Sequence, residues 1–302
     1  MSIIHKNLLS IIGNTPLIGI PLNLPFNLYA KLEYLNPSGS IKDRSALYMI
    51  EEAEKNNLIK PGDTIIEASS GNQAISVAMI CNIKGYKTII TIPDDTSLEK
   101  KRAIAAYGIE MIECEHVSSY DDPRHYYQVA KKIALEKNIF FLGQYFNKDN
   151  ANAYYNGLGK EIYENMNGQI DYFVSAIGSG GTINGTSKYL KEQNKNIKTI
   201  GVYADNSVYG SNNNPKPYHL DGMGINYNSP FLDNKLIDEM IPANSENGLE
   251  MLKYLNKNIG LLPGLCGGGV IAAINNYKNF KPNSNVVTII TDSGRAYLSK
   301  IN

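Results

Sequence analysis

Short runs rich in Ile, Val, Tyr and Thr alternate along this chain with longer runs of helical apolar spacing, and that alternation limits the fold most tightly. "NLYAKLEYL" reads as a strand, and "KDRSALYMIEEAEKN" follows as a helix with Ala46, Ile50 and Ala53 on one face. "DTIIEA" leads into "GNQAISVAMICNIKG", a helix closed by Gly85, and "KTIITI" precedes "SLEKKRAIAAYG", where Ser97 caps and Gly108 terminates. The rhythm continues through "IEMIEC", "DPRHYYQVAKKIALEKN", "IFFLG", "ANAYYNGLGKEIYENM", "DYFVSAIG", "GTINGTSKYLKEQ", "KTIGVYA" and "NVVTIIT". Strands alternating with helices over 302 residues imply crossover units and mainly parallel sheets, the α/β class. One stretch breaks the pattern, from "DNSVYGSNNNPKP" to "FLDNKL". Its Asn, Gly and Pro predict a long irregular loop with a functional role.

Composition narrows the function classes. Lys plus Arg and Asp plus Glu number 29 each, so the net charge is zero and no basic excess supports nucleic acid as a partner. No apolar run reaches the length of a membrane span, and the N-terminus lacks a basic flank with a cleavage site. Cys81, Cys114 and Cys266 lie far apart, and the 4 histidines are scattered, so neither a disulfide framework nor a metal site is expected. These features describe a cytoplasmic α/β protein.

Four stretches are read as following strands, where open parallel sheets bind ligands: "NPSGSIKDR", "ASSGNQA", "IGSGGTING" and "GLCGGG". In the third, Gly178, Ser179, Gly180, Gly181 and Thr182 leave a strand and open a helix. Their N–H groups and hydroxyls suit a phosphate at the positive helix end. The glycine spacing is wrong for a dinucleotide, and the lysine of a triphosphate loop is missing. A small phosphate fits better, although such a turn is also found where nothing binds. Lys42 stands at a helix start, where a solvated cation is disfavoured.

A phosphate cradle with a single loop lysine suggests pyridoxal phosphate (PLP), and the motifs resemble those of the cysteine synthase and cystathionine β-synthase family of fold-type II PLP enzymes. "NPSGSIKDR" is similar to its Schiff-base lysine motif, "SSGNQA" to its substrate loop, "GSGGT" to its phosphate loop and "NTPL" to its N-terminal signature. The likeness runs from about Leu8 to Ser299 with all blocks in family order. It implies two three-layer α/β domains like those of the tryptophan synthase β-subunit, with PLP in the cleft between them. The smaller, mobile domain is expected over 43–146, and the larger over 1–42 plus 147–302. The resemblance also implies a homodimer, and since the chain ends just after "YLSKIN" no regulatory extension is expected.

Carried across residue by residue, the resemblance makes Lys42 the cofactor-bonding lysine and α-proton shuttle, a role that suits a desolvated amine of lowered pKa. Gly178, Ser179, Gly180, Gly181 and Thr182 would hold the phosphate, and Asn72 the ring hydroxyl, with an N-cap for the following helix as its plainer role. Ser69, Ser70, Gly71 and Gln73 would surround the substrate carboxylate. Gln144 would reach it too, unless it is an ordinary loop residue. Gly222, with Gly224, would line the substrate mouth. Cys266 stands where the family carries a serine facing the pyridine nitrogen, and Gly267 replaces a second serine. A cysteine there resembles serine and threonine dehydratases, but it is also a common small buried residue. Gln73 replaces a threonine, Ala74 a glycine and Asn226 a glycine, and "SGRAYLS" alters the C-terminal motif.

The implied reaction is β-replacement on an activated serine derivative such as O-acetylserine, through an α-aminoacrylate, with sulfide or another nucleophile. The alternative is β-elimination or exchange, as in a dehydratase, a desulfhydrase or a cysteine-to-serine converter. A catalytically silent PLP-fold binding protein is the reading from outside enzymology.

Overall fold

The computed structural model describes residues 4–301 apart from 118, 212–214, 225–228 and 234. The expected Asn226 departure therefore lies outside the described residues. In chain order the elements are β1 (Leu17–Gly19), β2 (Asn27–Leu32), α1 (Lys42–Lys55), β3 (Thr64–Ala68), α2 (Asn72–Lys84), β4 (Lys87–Pro93), α3 (Leu98–Ala105) and β5 (Glu110–Cys114). Then come α4 (Tyr126–Lys137), β6 (Phe140–Phe141), α5 (Asp149–Ala153), α6 (Lys160–Asn165), β7 (Tyr172–Ala176), α7 (Gly181–Gln193) and β8 (Lys198–Ala204). The last five are β9 (Glu239–Ala243), α8 (Ser245–Ile259), α9 (Leu265–Asn276), β10 (Asn285–Ile290) and α10 (Leu298–Ile301). A π-helical turn, Tyr154–Gly159, joins α5 to α6.

The chain forms two compact units, Met1–Ile12 with Lys42–Asn150, and Gly13–Ile41 with Ala151–Asn302. In the first, four parallel strands run in the order β5-β4-β3-β6. Strand alternation sends Ile65, Ile90 and Ile92 toward Ala46, Met49, Ile50, Val77 and Ile80 of α1 and α2. It sends Ile66, Ala68 and Ile89 toward Tyr127, Ala130 and Ala134 of α4. Both sheet faces are thus covered, giving three layers. Each buried isoleucine contributes roughly 1.5–3 kcal/mol, so a one-residue slip of β3, which would exchange the two faces, is strongly disfavoured. Leu9 and Ile12 pack on the same cluster as Ala46 and Val77, which ties the N-terminal segment to this unit.

The second unit has six strands in the order β1-β2-β10-β7-β8-β9, parallel except for β1 against β2. Leu28, Val174, Val202 and Val286 face Leu255, Val270 and Ile274 of α8 and α9. Phe173, Val287 and Ile289 face Leu158, Ile162, Ile183 and Leu190 on the other side. Two sequence expectations need correction here. "GLCGGG" does not follow a strand: it follows α8 and runs into α9, which begins at Leu265 and contains Gly267, Gly268 and Gly269. The physical reason is close helix packing, since a β-carbon on Gly268 would stand 2.5 Å from the Gly248 carbonyl oxygen of α8. Ser97 occupies the cap position of α3, but its hydroxyl makes no capping bond and is buried without a partner.

Candidate active site

In the first unit the chain turns from β3 into α2 through Ser69, Ser70 and Gly71. Ser69 is buried, and its Oγ accepts from the N–H groups of Gly71 and Ala74, both at 3.2 Å, which shapes the loop at the helix start. Ser70 is exposed. Gly71 holds the cap position and Asn72 is the first helical residue, so N-capping is not the role of Asn72. A β-carbon on Gly71 would lie 2.8 Å from Cδ and 3.2 Å from Nζ of Lys100, which packs over the loop from α3.

Lys42 opens α1 and is half-buried. One helical turn on, the Ser45 hydroxyl lies 3.3 Å from the Lys42 carbonyl and 3.2 Å from Gln73 Oε1. Ser45 therefore links the first turn of α1 to the first turn of α2. Gln73, expected to line the carboxylate pocket, turns its Oε1 toward α1, while its Nε2 is buried with no partner. Gln144 follows β6 and is buried. Its Nε2 donates to the Ala68 carbonyl at 3.3 Å, which joins it to the end of β3 and the loop that follows.

In the second unit α7 starts from Gly180, which sits at φ +85°, where a β-carbon would be strained and would meet Ser229 Oγ at 2.8 Å. Ser229 Oγ donates to the Ser179 carbonyl, and the Ser229 N–H donates to the Tyr209 hydroxyl at 3.2 Å. The segment Gly222–Gly224, expected to line the substrate mouth, is fixed by the Gly224 N–H, which donates to the Ile177 carbonyl at 2.6 Å. Gly178, Gly222 and Cys266 converge: a β-carbon on Gly178 would lie 2.7 Å from the Gly222 oxygen, and one on Gly222 would lie 3.9 Å from Cys266 Cβ. Cys266 is buried in the first turn of α9. Beneath α9, the Gly264 N–H donates to the Asp292 carbonyl at 2.9 Å, and the Tyr297 hydroxyl donates to Asp292 Oδ2 at 2.5 Å. Burial and the carboxylates of Asp292 and Asp221 hold that phenol well above its ordinary pKa.

These residues fit PLP. The first N–H groups of α7 have no partner within the helix, the helix dipole favours a phosphate there, and β-carbons at Gly178 and Gly180 would collide with the Gly222 oxygen and Ser229 Oγ, so the turn needs glycine to keep this shape. Sequence reasoning missed Ser45, Lys100 and the buried acid Glu67. Lys100 carried a signal, because it is a cation in the first turn of a helix, the same anomaly that marks Lys42.

The fold and these motifs define a fold-type II PLP-dependent enzyme, and the family described as pyridoxal-phosphate dependent enzyme matches residues 8–292. The chain is 35% identical to a cysteine synthase of Staphylococcus aureus (strain Mu50), over 97% of this chain and 95% of that one. It is 37% identical to a cystathionine β-synthase of Dictyostelium discoideum over 99% of its own length, and spans 62% of that longer protein. A hydrogen sulfide-producing enzyme of Fusobacterium nucleatum superposes with a TM-score of 0.90 at 35% identity, covering 98% of this chain and 100% of that one. The protein belongs to the PLP-dependent cysteine synthase/cystathionine β-synthase family, and PLP is the family's cofactor.

Proposed function

We propose that this protein catalyses β-replacement on an activated serine derivative of the O-acetylserine type, with sulfide or another nucleophile, to give cysteine or a related amino acid. The observation that carries the reading is the convergence of Gly178, Gly222 and Cys266 beside the open N-terminus of α7. Bound PLP would supply an aldehyde and an electron-withdrawing ring.

The chain's own residues divide the remaining work. The N–H groups of Gly180, Gly181 and Thr182, with the hydroxyls of Ser179 and Thr182, would hold the phosphate. The Lys42 amine would hold the aldehyde and would move the proton at the substrate's α-carbon. Asn72 would hold the ring hydroxyl, and Cys266 would serve the ring nitrogen. A thiol donates weakly, so it would leave that nitrogen a modest electron sink, which suits loss of a β-leaving group. Ser69, Ser70, Gly71 and Gln144 orient the carboxylate through N–H, hydroxyl and amide donors, and Gly222 lines the entry. Gln73, whose Oε1 meets the Ser45 hydroxyl, joins them with its Nε2 donor. The unit about 43–146 moves as a body, and two copies of the chain form a homodimer; a monomer on gel filtration would contradict that last point.

Elimination or exchange, releasing sulfide from cysteine, is the second reading, and the likeness to the hydrogen sulfide-producing enzyme favours it. One experiment separates the readings. The protein is mixed with O-acetylserine, O-phosphoserine, serine or cysteine, with and without sulfide, and the products are identified. Cysteine formed from O-acetylserine and sulfide supports replacement, sulfide released from cysteine supports elimination or exchange, and no product from any mixture supports a silent binding protein.

A further inference from the structure

Glu67 is the penultimate residue of β3, just before the Ala68 carbonyl that Gln144 bonds. It has no solvent exposure, and neither carboxyl oxygen makes a hydrogen bond of proper geometry. A buried acid with no well-formed hydrogen bond is costly when ionised. The N–H groups of Gln144, Gly143 and Ala68 and the Gln144 side chain favour the charged form, but burial outweighs them and raises the carboxyl pKa to about 8.

From α4, Tyr126 and Tyr127 feel the Glu67 charge; burial with smaller electrostatic contributions raises both phenols, that of Tyr126 to about 12. The Tyr126 hydroxyl lies 3.1 Å from that of Tyr145, in the loop after β6. β4 places Ile90 beside Glu67 in register. On α2 the titratable Cys81 answers to burial, Thr88, Glu54 and Lys84. Gln144 thus joins the two: its Nε2 bonds the Ala68 carbonyl just before the Ser69–Gln73 loop, and its backbone and side-chain donors favour the Glu67 carboxylate. Its backbone is anchored separately, since the Gln144 carbonyl accepts from Asn150 Nδ2 at 2.7 Å.

We propose that Glu67 is a positioning residue for Gln144: un-ionised, it leaves Gln144 Nε2 to the Ala68 carbonyl and an incoming carboxylate, and ionised, it draws that donor away. The carboxylate half of this inference rests on the function proposed above. Its consequence is a proton-controlled grip on the amino acid, set by an acid that never touches the substrate. Ionisation of Glu67 weakens binding without altering the groups that move the α-proton, so KM changes while kcat stays constant.

The test compares wild type with Glu67→Gln, which is isosteric and cannot ionise. First, the Gln144 side-chain amide is followed by NMR from pH 6.5 to 9.5 without substrate. It is expected to titrate near pH 8 in wild type and to stay constant in the variant. Second, KM and kcat of the PLP-loaded enzymes are measured over the same range. The ratio of wild-type to variant KM is expected to rise about tenfold per pH unit above 8, with the kcat ratio unchanged; taking the ratio cancels titration of the substrate amine. A Gln144 amide that does not titrate, or a flat KM ratio in an active enzyme, overturns the proposal. A titrating amide in a protein that binds no amino acid upholds the Glu67–Gln144 relation and removes the carboxylate reading alone.

Discussion

Gly178 faces the carbonyl of Gly222 so closely that a β-carbon on the first would stand 2.7 Å from the oxygen of the second. Both belong to the second unit, and together they fix how near the turn from β7 into α7 approaches the Gly222–Gly224 segment. That oxygen belongs to backbone, so it cannot rotate away as a side chain would. Gly178→Ala should cost about 1–3 kcal/mol in strain and weaken PLP retention about tenfold or more. Equilibrium dialysis of PLP against wild type and variant measures this, and equal affinity would show that the close approach does not shape the cradle.

Ser45 and Gln73 make a second testable pair. The Ser45 hydroxyl lies 3.2 Å from Gln73 Oε1, and Nε2 has no partner. Ser45→Ala leaves the buried amide short of its remaining bond and should cost about 1–3 kcal/mol. Gln73→Thr should shift preference among the four candidate substrates toward O-acetylserine while PLP stays bound. In the double variant the stability losses should not add, since both changes remove one interaction. Strict additivity in denaturant unfolding would contradict the coupling.

Glu67 makes the folded state sensitive to alkali. Its carboxyl sits near 4.5 in a water-exposed chain and near 8 in the fold. Between those values the folded state binds the extra proton, so stability falls as pH rises from about 4.5 to about 8 and then levels. Glu67→Gln abolishes that slope. Relative to wild type it should gain about 3 kcal/mol between pH 4.5 and pH 7, at about 1.36 kcal/mol per pH unit. Tm measured at pH 5, 6, 7 and 8 tests it, and parallel curves for the two proteins would refute an un-ionised Glu67.

The alternation of strand and helix was legible because apolar period and length both point the same way: "GTINGTSKYLKEQ" and "KTIGVYA" coincide with α7 and β8. Lys42 and residues 178–182 stood out in the sequence because their residue types are anomalous for a plain turn, and the structure places both at helix starts. Other features depend on packing that a linear pattern does not carry. The glycines of α9 read as a loop, since glycine weakens an isolated helix, yet contact with Gly248 of α8 demands them. β1 is three residues long, too short for a periodic signal, and pairs antiparallel with β2. The orientation of Gln73 toward Ser45 and the burial of Glu67 arise from contacts between elements far apart in sequence.

Cys266, in the first turn of α9, is buried at 2% exposure among Leu220, Met223 and Val270. Serine there offers a stronger donor to the ring nitrogen in similar volume. Cys266→Ser should keep PLP bound and change the rate within roughly tenfold, about 1.4 kcal/mol in barrier. Steady-state kinetics on O-acetylserine with sulfide, and on cysteine alone, decide the point. Complete loss of activity would assign the thiol a direct chemical part and favour the elimination reading.

The central claim is that Lys42 bonds the cofactor. Protein incubated with PLP and reduced with borohydride should carry one phosphopyridoxyl group, and peptide mass spectrometry should place it on Lys42. Lys42→Ala should carry none, lose the visible-edge absorbance band and lose essentially all turnover. A label on another lysine, or normal turnover in Lys42→Ala, would contradict the account.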